Sequence, residues 1–470
     1  MKVLKHLLSL ILFSVFANTA FAGGDNAYNI LFKIKGAIKD SNYYLANSFA
    51  DKHYIQDTAK VDANGQILFT GKEKLEEGLY VLILPKKKSF ELIIDNTQNF
   101  KLETDTTDFM KYMKVTGSDD NKVYYEYVSF LIDKQKEAGP LREQLQKVKN
   151  NKDSTKMLSD RMNKIDKEVK SYFQNFIKQH PKTLTAKMIS TMLEPEIPAT
   201  PILSNGRPDS TFAWRYMRAH FWDNYDFSDK RLLYTPILHS KMKQFIDNMT
   251  YPIPDSISAA LDIIIEKSRA NKEVFRYVVA SQTFAYESSN LMGMDAVFVH
   301  LVEKYYMSKQ AFWVDSTQLA KINEHAIALK PLLIGKYAPN LTLKDSSMHD
   351  VTLYDIQAPY TIIYFWDYNC SHCKKVTPVL LEWWHKTKFK AVKVYAVGTE
   401  TDAAPWKKYI IENKLDWINV FDPYAQSGFR SKYNITSTPI MIIMDENKKI
   451  VANRRLESDQ LDGFFEHLIN

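Results

Sequence analysis

The sequence predicts a multidomain chain: a small antiparallel β domain of sandwich type, an α-helical middle domain and a C-terminal α/β domain. Three observations carry this expectation. Short strand-like runs separated by turn residues open the chain; apolar residues at helical spacing follow; strand and helix patterns then alternate to the end. The expected divisions are a leader over residues 1–22, the β domain over 23–118, the helical domain over 119–334 and the α/β domain over 335–470.

The leader is read from its chemistry. Lys2, Lys5 and His6 precede an apolar run from Leu7 to Ala17, and Ala20-Phe21-Ala22 supplies small residues for cleavage after Ala22. That apolar run is shorter than the roughly 18 residues that cross a bilayer, so the expectation is export as a soluble periplasmic protein without stable membrane insertion. No cysteine lies near the cleavage point to carry a lipid. Removing Lys2 and Lys5 lowers the net charge from +7 to +5, a mild excess. Lys86-Lys87-Lys88 has no interleaved aromatics and reads as a solvated turn, so no nucleic-acid partner is implied.

In the β domain, strand runs begin at Ile30, Tyr43, Gly78 and Phe90, and Asp62-Ala63-Asn64-Gly65 predicts a hairpin turn between 57–61 and 66–70. No cluster of catalytic residue types falls here. After Ser118 the pattern turns helical. Leu141, Leu145 and Val148 form one stripe, and Tyr172, Phe173, Phe176 and Ile177 form another that ends at His180-Pro181. Residues 134–170, dense in charge, predict an exposed helical hairpin. The aromatic group Trp214, Tyr216, Phe221, Trp222, Tyr225 and Phe227 reads as core packing rather than a groove. His300 and Glu303 stand at i, i+3 but lack a third ligand and read as helix-face residues.

Gly335 and Pro339 end the helical pattern. Beyond them, strands are expected from Leu341 and over 361–365, 392–397, 440–444 and 449–452, with helices over 374–386, 405–413 and 459–469. Between the strand at 361–365 and the following helix lies Trp366-Asp367-Tyr368-Asn369-Cys370-Ser371-His372-Cys373, which holds both cysteines of the chain.

In an exported protein disulfides persist, yet a bridge between Cys370 and Cys373 would close only a four-residue loop. Two adjacent thiols therefore point to reactivity rather than architecture. Zinc would need four ligands, and only His372 is near, so no metal is expected. Cys370, before the helix N-terminus, is the expected attacking sulfur, and Cys373 the resolving one. Protonated His372 and the cation of Lys374 would stabilise the Cys370 thiolate, which makes the disulfide the stronger oxidant.

Through Phe365-Trp366, the CxxC, Pro378 and Thr438-Pro439, residues 335–470 resemble the thioredoxin-like family, specifically its exported ResA/TlpA type. The resemblance implies a thioredoxin-like fold and protein disulfide oxidoreductase activity without a bound cofactor. It implies partners that are protein thiols or disulfides, with an upstream membrane or periplasmic redox partner. It also implies a cis Pro439 and substrate docking at Trp366, Thr438 and Pro439. The 66 positions from Cys373 to Pro439 leave room for an inserted helix and strand. This chain departs from the family where a buried acid is common: Tyr364 and Val376 occupy those positions. Two alternatives stay open. One is a peroxiredoxin-type peroxidase, although Asp367 stands where those enzymes carry Thr or Ser before the first cysteine. The other is a binding or assembly protein built on a retained scaffold.

Overall fold

The computed structural model describes residues 27–148, 152–389, 391–453 and 460–469; the expected leader lies outside the described residues. Packing divides the chain into two compact units at residues 241 and 242, and each is described by itself.

The first unit contains β1 (Tyr28–Lys35), β2 (Asn42–Phe49), β3 (Lys52–Lys60), β4 (Gln66–Gly71), β5 (Gly78–Ile83), β6 (Ser89–Ile94), β7 (Asn99–Asp105) and β8 (Lys114–Thr116). They form two four-stranded sheets, ordered β4-β1-β7-β8 and β3-β2-β5-β6. Phe32 of β1 meets Phe90 of β6 with ring centroids 6.1 Å apart, so the sheets share a core as a sandwich. All pairings are antiparallel except β1 with β7, which is parallel.

The turn expected at Asp62 is present: Asp62 N donates to Gln66 O at 2.8 Å, and Gly65 takes a φ of +76°. The hairpin does not continue beyond it. β3 and β4 enter different sheets and touch through a single bridge, Val61 with Ile67. The turn is thus a corner of the sandwich: β4 pairs with β1 in one sheet, whereas β3 is the exposed edge strand of the other.

Ser118 caps α1 (Asp119–Lys147) by accepting from Asn121 N, and Asn121 in turn exchanges hydrogen bonds with the Ile93 backbone on the edge strand β6. α1 and α2 (Lys152–Gln179) pack through Ala138, Leu141, Leu158 and Ile165, the hairpin expected from the charge-rich stretch. α3 (Leu184–Ser190) and α4 (Phe212–His220) follow. Phe221, Trp222, Tyr225 and Phe227 are buried, whereas Trp214 is exposed.

α5 (Ile237–Met249) carries the boundary between the units, so the helical stretch is shared between them. The second unit continues with α6 (Pro254–Ser268), α7 (Lys272–Glu287), α8 (Asp295–Leu301) and α9 (Ser316–Leu329). His300 and Glu303 separate: His300 Nε2 lies 3.0 Å from Asp262 Oδ1, and Glu303 pairs with Lys330. Lys304 and Tyr305 complete the shell of Asp262. Burial pushes that carboxyl up, but these donors outweigh it and hold it down at about 2.

The C-terminal sheet contains β9 (Thr342–Lys344), β10 (Asp350–Thr352), β11 (Tyr360–Trp366), β12 (Val392–Gly398), β13 (Ile418–Phe421), β14 (Ile440–Asp445) and β15 (Ile450–Ala452). Its helices are α10 (Cys373–Lys386), α11 (Ala403–Glu412), α12 (Phe429–Lys432) and α13 (Leu461–Ile469). The strand order is β10-β9-β13-β12-β11-β14-β15, and α11 with β13 fills the room foreseen between Cys373 and Pro439.

β11 is central and buried on both faces, which explains its unbroken apolar run. Ile362, Tyr364 and Trp366 join Leu380, Trp383, Trp406 and Phe465 on one side. Ile363 and Phe365 join Phe429, Tyr433 and Ile442 on the other.

Gly398 closes β12 against the Trp406 indole, and a Cβ there would stand 2.4 Å from Trp406 Nε1. Gly398→Ala should therefore destabilise the second unit by about 1–3 kcal/mol. Gly463→Ala, in α13 with nothing within 4 Å of the new carbon, should instead stabilise by about 0.5–1 kcal/mol. Urea midpoints of the two variants should move in opposite directions.

Candidate active site

Strand pairing assembles the site. β11 runs parallel to β12 and antiparallel to β14, with Phe365 opposite Ile440. Pro439 immediately precedes that pair on β14, and Trp366 immediately follows it on β11. The loop leaving β11 and the loop entering β14 therefore meet at one sheet end. Thr438-Pro439 is a cis peptide, and Cys370 Sγ lies 3.4 Å from the Thr438 carbonyl oxygen.

α10 begins at Cys373, with His372 at its N-cap, so Cys370 sits just ahead of the first turn. The Cys373 N–H donates to Cys370 Sγ at 3.3 Å, which aims an unpaired donor of the helix start at the sulfur. Both cysteines are free thiols; Cys370 is half-buried and Cys373 is 1% exposed.

The two thiols are driven apart. Burial pushes Cys370 up, but hydrogen bonds from the backbone and side chain of Cys373 outweigh it, and Cys370 titrates below the ordinary 9.0. Burial dominates at Cys373 and pushes it up to about 12. One sulfur is made ready to attack, while the other is kept protonated.

The expected site residues fall into distinct places. Cys370, Cys373, Thr438 and Pro439 come together. Trp366 does not offer a docking surface: it is fully buried and packs against Tyr409 at 5.2 Å between ring centroids. Both faces of β11 are covered, and Trp366, its last residue, is packed into the core layer with Tyr364 and Trp406. His372 is exposed, and among the described residues no hydrogen bond joins its ring to Cys370; its backbone is what acts on that sulfur. Lys374 is exposed in the first turn of α10, where its N–H donates to Cys370 O at 3.1 Å.

Two groups beneath the motif carry weaker sequence signals. Tyr364 and Thr377 share a hydrogen bond of 2.8 Å, both fully buried. Thr377 stands four residues after Cys373 on the buried face of α10. A polar residue within that apolar stripe is the trace the sequence leaves of the pair.

A family described as thioredoxin-like matches residues 359–450. This part of the chain belongs to the thioredoxin-like family. Two domains of unknown function, DUF4369 and DUF5106, match residues 32–124 and 152–330. A curated relative of the thioredoxin-like region is the thiol-disulfide oxidoreductase ResA of Bacillus cereus, 24% identical over 29% of this chain and 78% of that protein.

Among solved structures, a domain of a possible thiol-disulfide isomerase from Cytophaga hutchinsonii is 41% identical, with a TM-score of 0.28, covering 30% of this chain and 95% of that one. The thioredoxin domain of a thiol-disulfide oxidoreductase from Bacteroides vulgatus is 33% identical, with a TM-score of 0.27, covering 29% and 98%.

The split between the two thiols is measurable by alkylation. At pH 7 iodoacetamide should label Cys370 and spare Cys373. Labelling of Cys370 should fall as pH drops through a midpoint below 9.0. Equal labelling of both cysteines would contradict the assignment.

Proposed function

We propose that the chain is an exported thiol-disulfide oxidoreductase that exchanges disulfides with protein substrates through Cys370 and Cys373. The observation that carries this reading is the pairing of a half-buried, thiolate-favoured Cys370 with a buried thiol one turn behind it. In the reducing direction, Cys370 thiolate attacks a substrate disulfide and forms a mixed disulfide, and the displaced substrate sulfur leaves with the electron pair and takes a proton. Cys373 then loses its proton and attacks Cys370 Sγ. The Cys370–Cys373 bond forms, the second substrate sulfur leaves, and the substrate is reduced as the pair is oxidised.

Thr438 and Pro439 are the proposed docking residues, because their loop borders Cys370 and is partly exposed. Export is supported by the N-terminal pattern. Among the described residues, no helix is long and apolar enough to cross a membrane. An exported dithiol also requires a redox partner to reset it, membrane-bound or periplasmic.

The test is turnover of a protein disulfide with a dithiol reductant. Cys370→Ser should lose the catalysed rate, at least about 100-fold. Cys373→Ser should accumulate mixed disulfides at Cys370, visible as reducible adducts on a gel. A Cys370→Ser rate equal to wild type would sink the proposal.

A further inference from the structure

Resolution by Cys373 requires that a thiol, 1% exposed, lose its proton inside an apolar core. The groups that set its titration come from every element around it. From β11 comes Tyr364; from the loop that leaves it, the Asp367 backbone; from just ahead of α10, Cys370; from α11, Tyr409; from the loop before β14, Thr438. The one carboxylate among them, that of Asp367, is turned to its own loop, where it accepts from Asn369 N at 2.6 Å, and only its backbone reaches Cys373. The Tyr364 hydroxyl is already joined to Thr377 at 2.8 Å, and burial drives its own pKa far above the ordinary phenol range. The polar neighbour of the buried thiol in this core layer is therefore a neutral hydroxyl pair, which draws no proton from it.

We propose that the Tyr364–Thr377 pair leaves Cys373 without an internal base, so that a substrate captured on Cys370 is held until another of its own thiols releases it. The site then reshuffles disulfides in preference to reducing them. This rests on the exchange reading above and gives it a direction. In the favoured route a second substrate thiolate attacks the substrate sulfur of the mixed disulfide. A new substrate disulfide forms, the bond to Cys370 breaks, and its electron pair returns to Cys370 as thiolate. Substrate and enzyme end with the electrons they began with, and no outside oxidant or reductant is consumed.

Thr377 also borders a cleft of about 300 Å³ together with Pro378, Leu381 and Leu415. The first experiment mixes the reduced full-length chain with one equivalent of dithionitrobenzoate in a stopped-flow instrument. Attack by Cys370 releases the first thionitrobenzoate, and resolution by Cys373 releases the second. The second phase should be at least about tenfold slower than the first at pH 7 and rise about tenfold per pH unit from pH 6 to 8, as thiolate supply dictates. Thr377→Asp should raise the ratio of second to first rate about tenfold. Val376→Glu, at a half-buried position on the same helix, gives a second test if the first variant does not fold.

With scrambled ribonuclease as substrate, recovery of ribonuclease activity should outpace release of free thiols, and the carboxylate variants should reverse that order. A second phase that is fast and flat with pH overturns the proposal, as does a ratio that neither variant moves. Loss of the first phase in the wild-type chain would overturn the exchange reading itself, and that failure is seen separately.

Discussion

The antiparallel register of β11 with β14 is the constraint on which the site depends. It sets Phe365 against Ile440, and with that pair fixed both flanking loops must emerge at the same sheet end. A shift of one residue would turn every side chain of β14 to the opposite face and exchange its apolar positions between two different cores. Met441 and Ile443 belong to one layer, and Ile442 and Met444 to the other. The chemistry inherits its precision from this packing. Cys370 meets the Thr438 carbonyl at 3.4 Å because two buried strands leave the loops little freedom.

The second determinant is how unevenly the site shields two chemically identical groups. Cys370 and Cys373 are three residues apart, yet one stands before the helix and the other on its buried face. The N–H that stabilises Cys370 belongs to Cys373, so the resolving residue's backbone serves the attacking sulfur while its own side chain stays in the core. Burial raises both thiols, and only the first has enough donors to overcome it. The sequence spacing alone creates this division, since a helix beginning at the second cysteine leaves the first at its open end.

Much of this was legible in the chain. The unbroken apolar run of β11 and the start of a helix at the CxxC are local signals, and both elements form; that Thr438-Pro439 lies beside Cys370 was legible only through the family resemblance. The signals that misled were those whose meaning depends on a partner. Asp62 to Gly65 makes the expected turn, but nothing local says that β3 and β4 enter different sheets. Trp366 beside a reactive motif suggests a surface for substrate, yet β11 is covered on both faces up to this last residue, which joins the core layer of Tyr364. His372 lies within the motif by sequence, but it acts on Cys370 through its backbone rather than its ring. The Tyr364–Thr377 bond joins residues thirteen positions apart on a strand and a helix, beyond the reach of any periodicity.

The same dependence on partners explains why the helical stretch does not close on itself in the second unit. Asn453, just after β15, donates to Asp295 at the start of α8 at 2.7 Å and to the Leu332 carbonyl at 3.0 Å, all in buried surroundings. Met292 packs against the core layer that holds Cys373. Gly335 N donates to Ile450 O, and Ile450 N donates to Lys336 O, so the segment leaving the last helices is bonded to β15. Buried polar groups of this kind are costly to separate, because each loses its partner without gaining water. The helices from α6 onward and the thioredoxin-like domain therefore share the buried hydrogen bonds of Asn453 with Asp295 and Leu332, and a cut at the apparent boundary near residue 335 would orphan them.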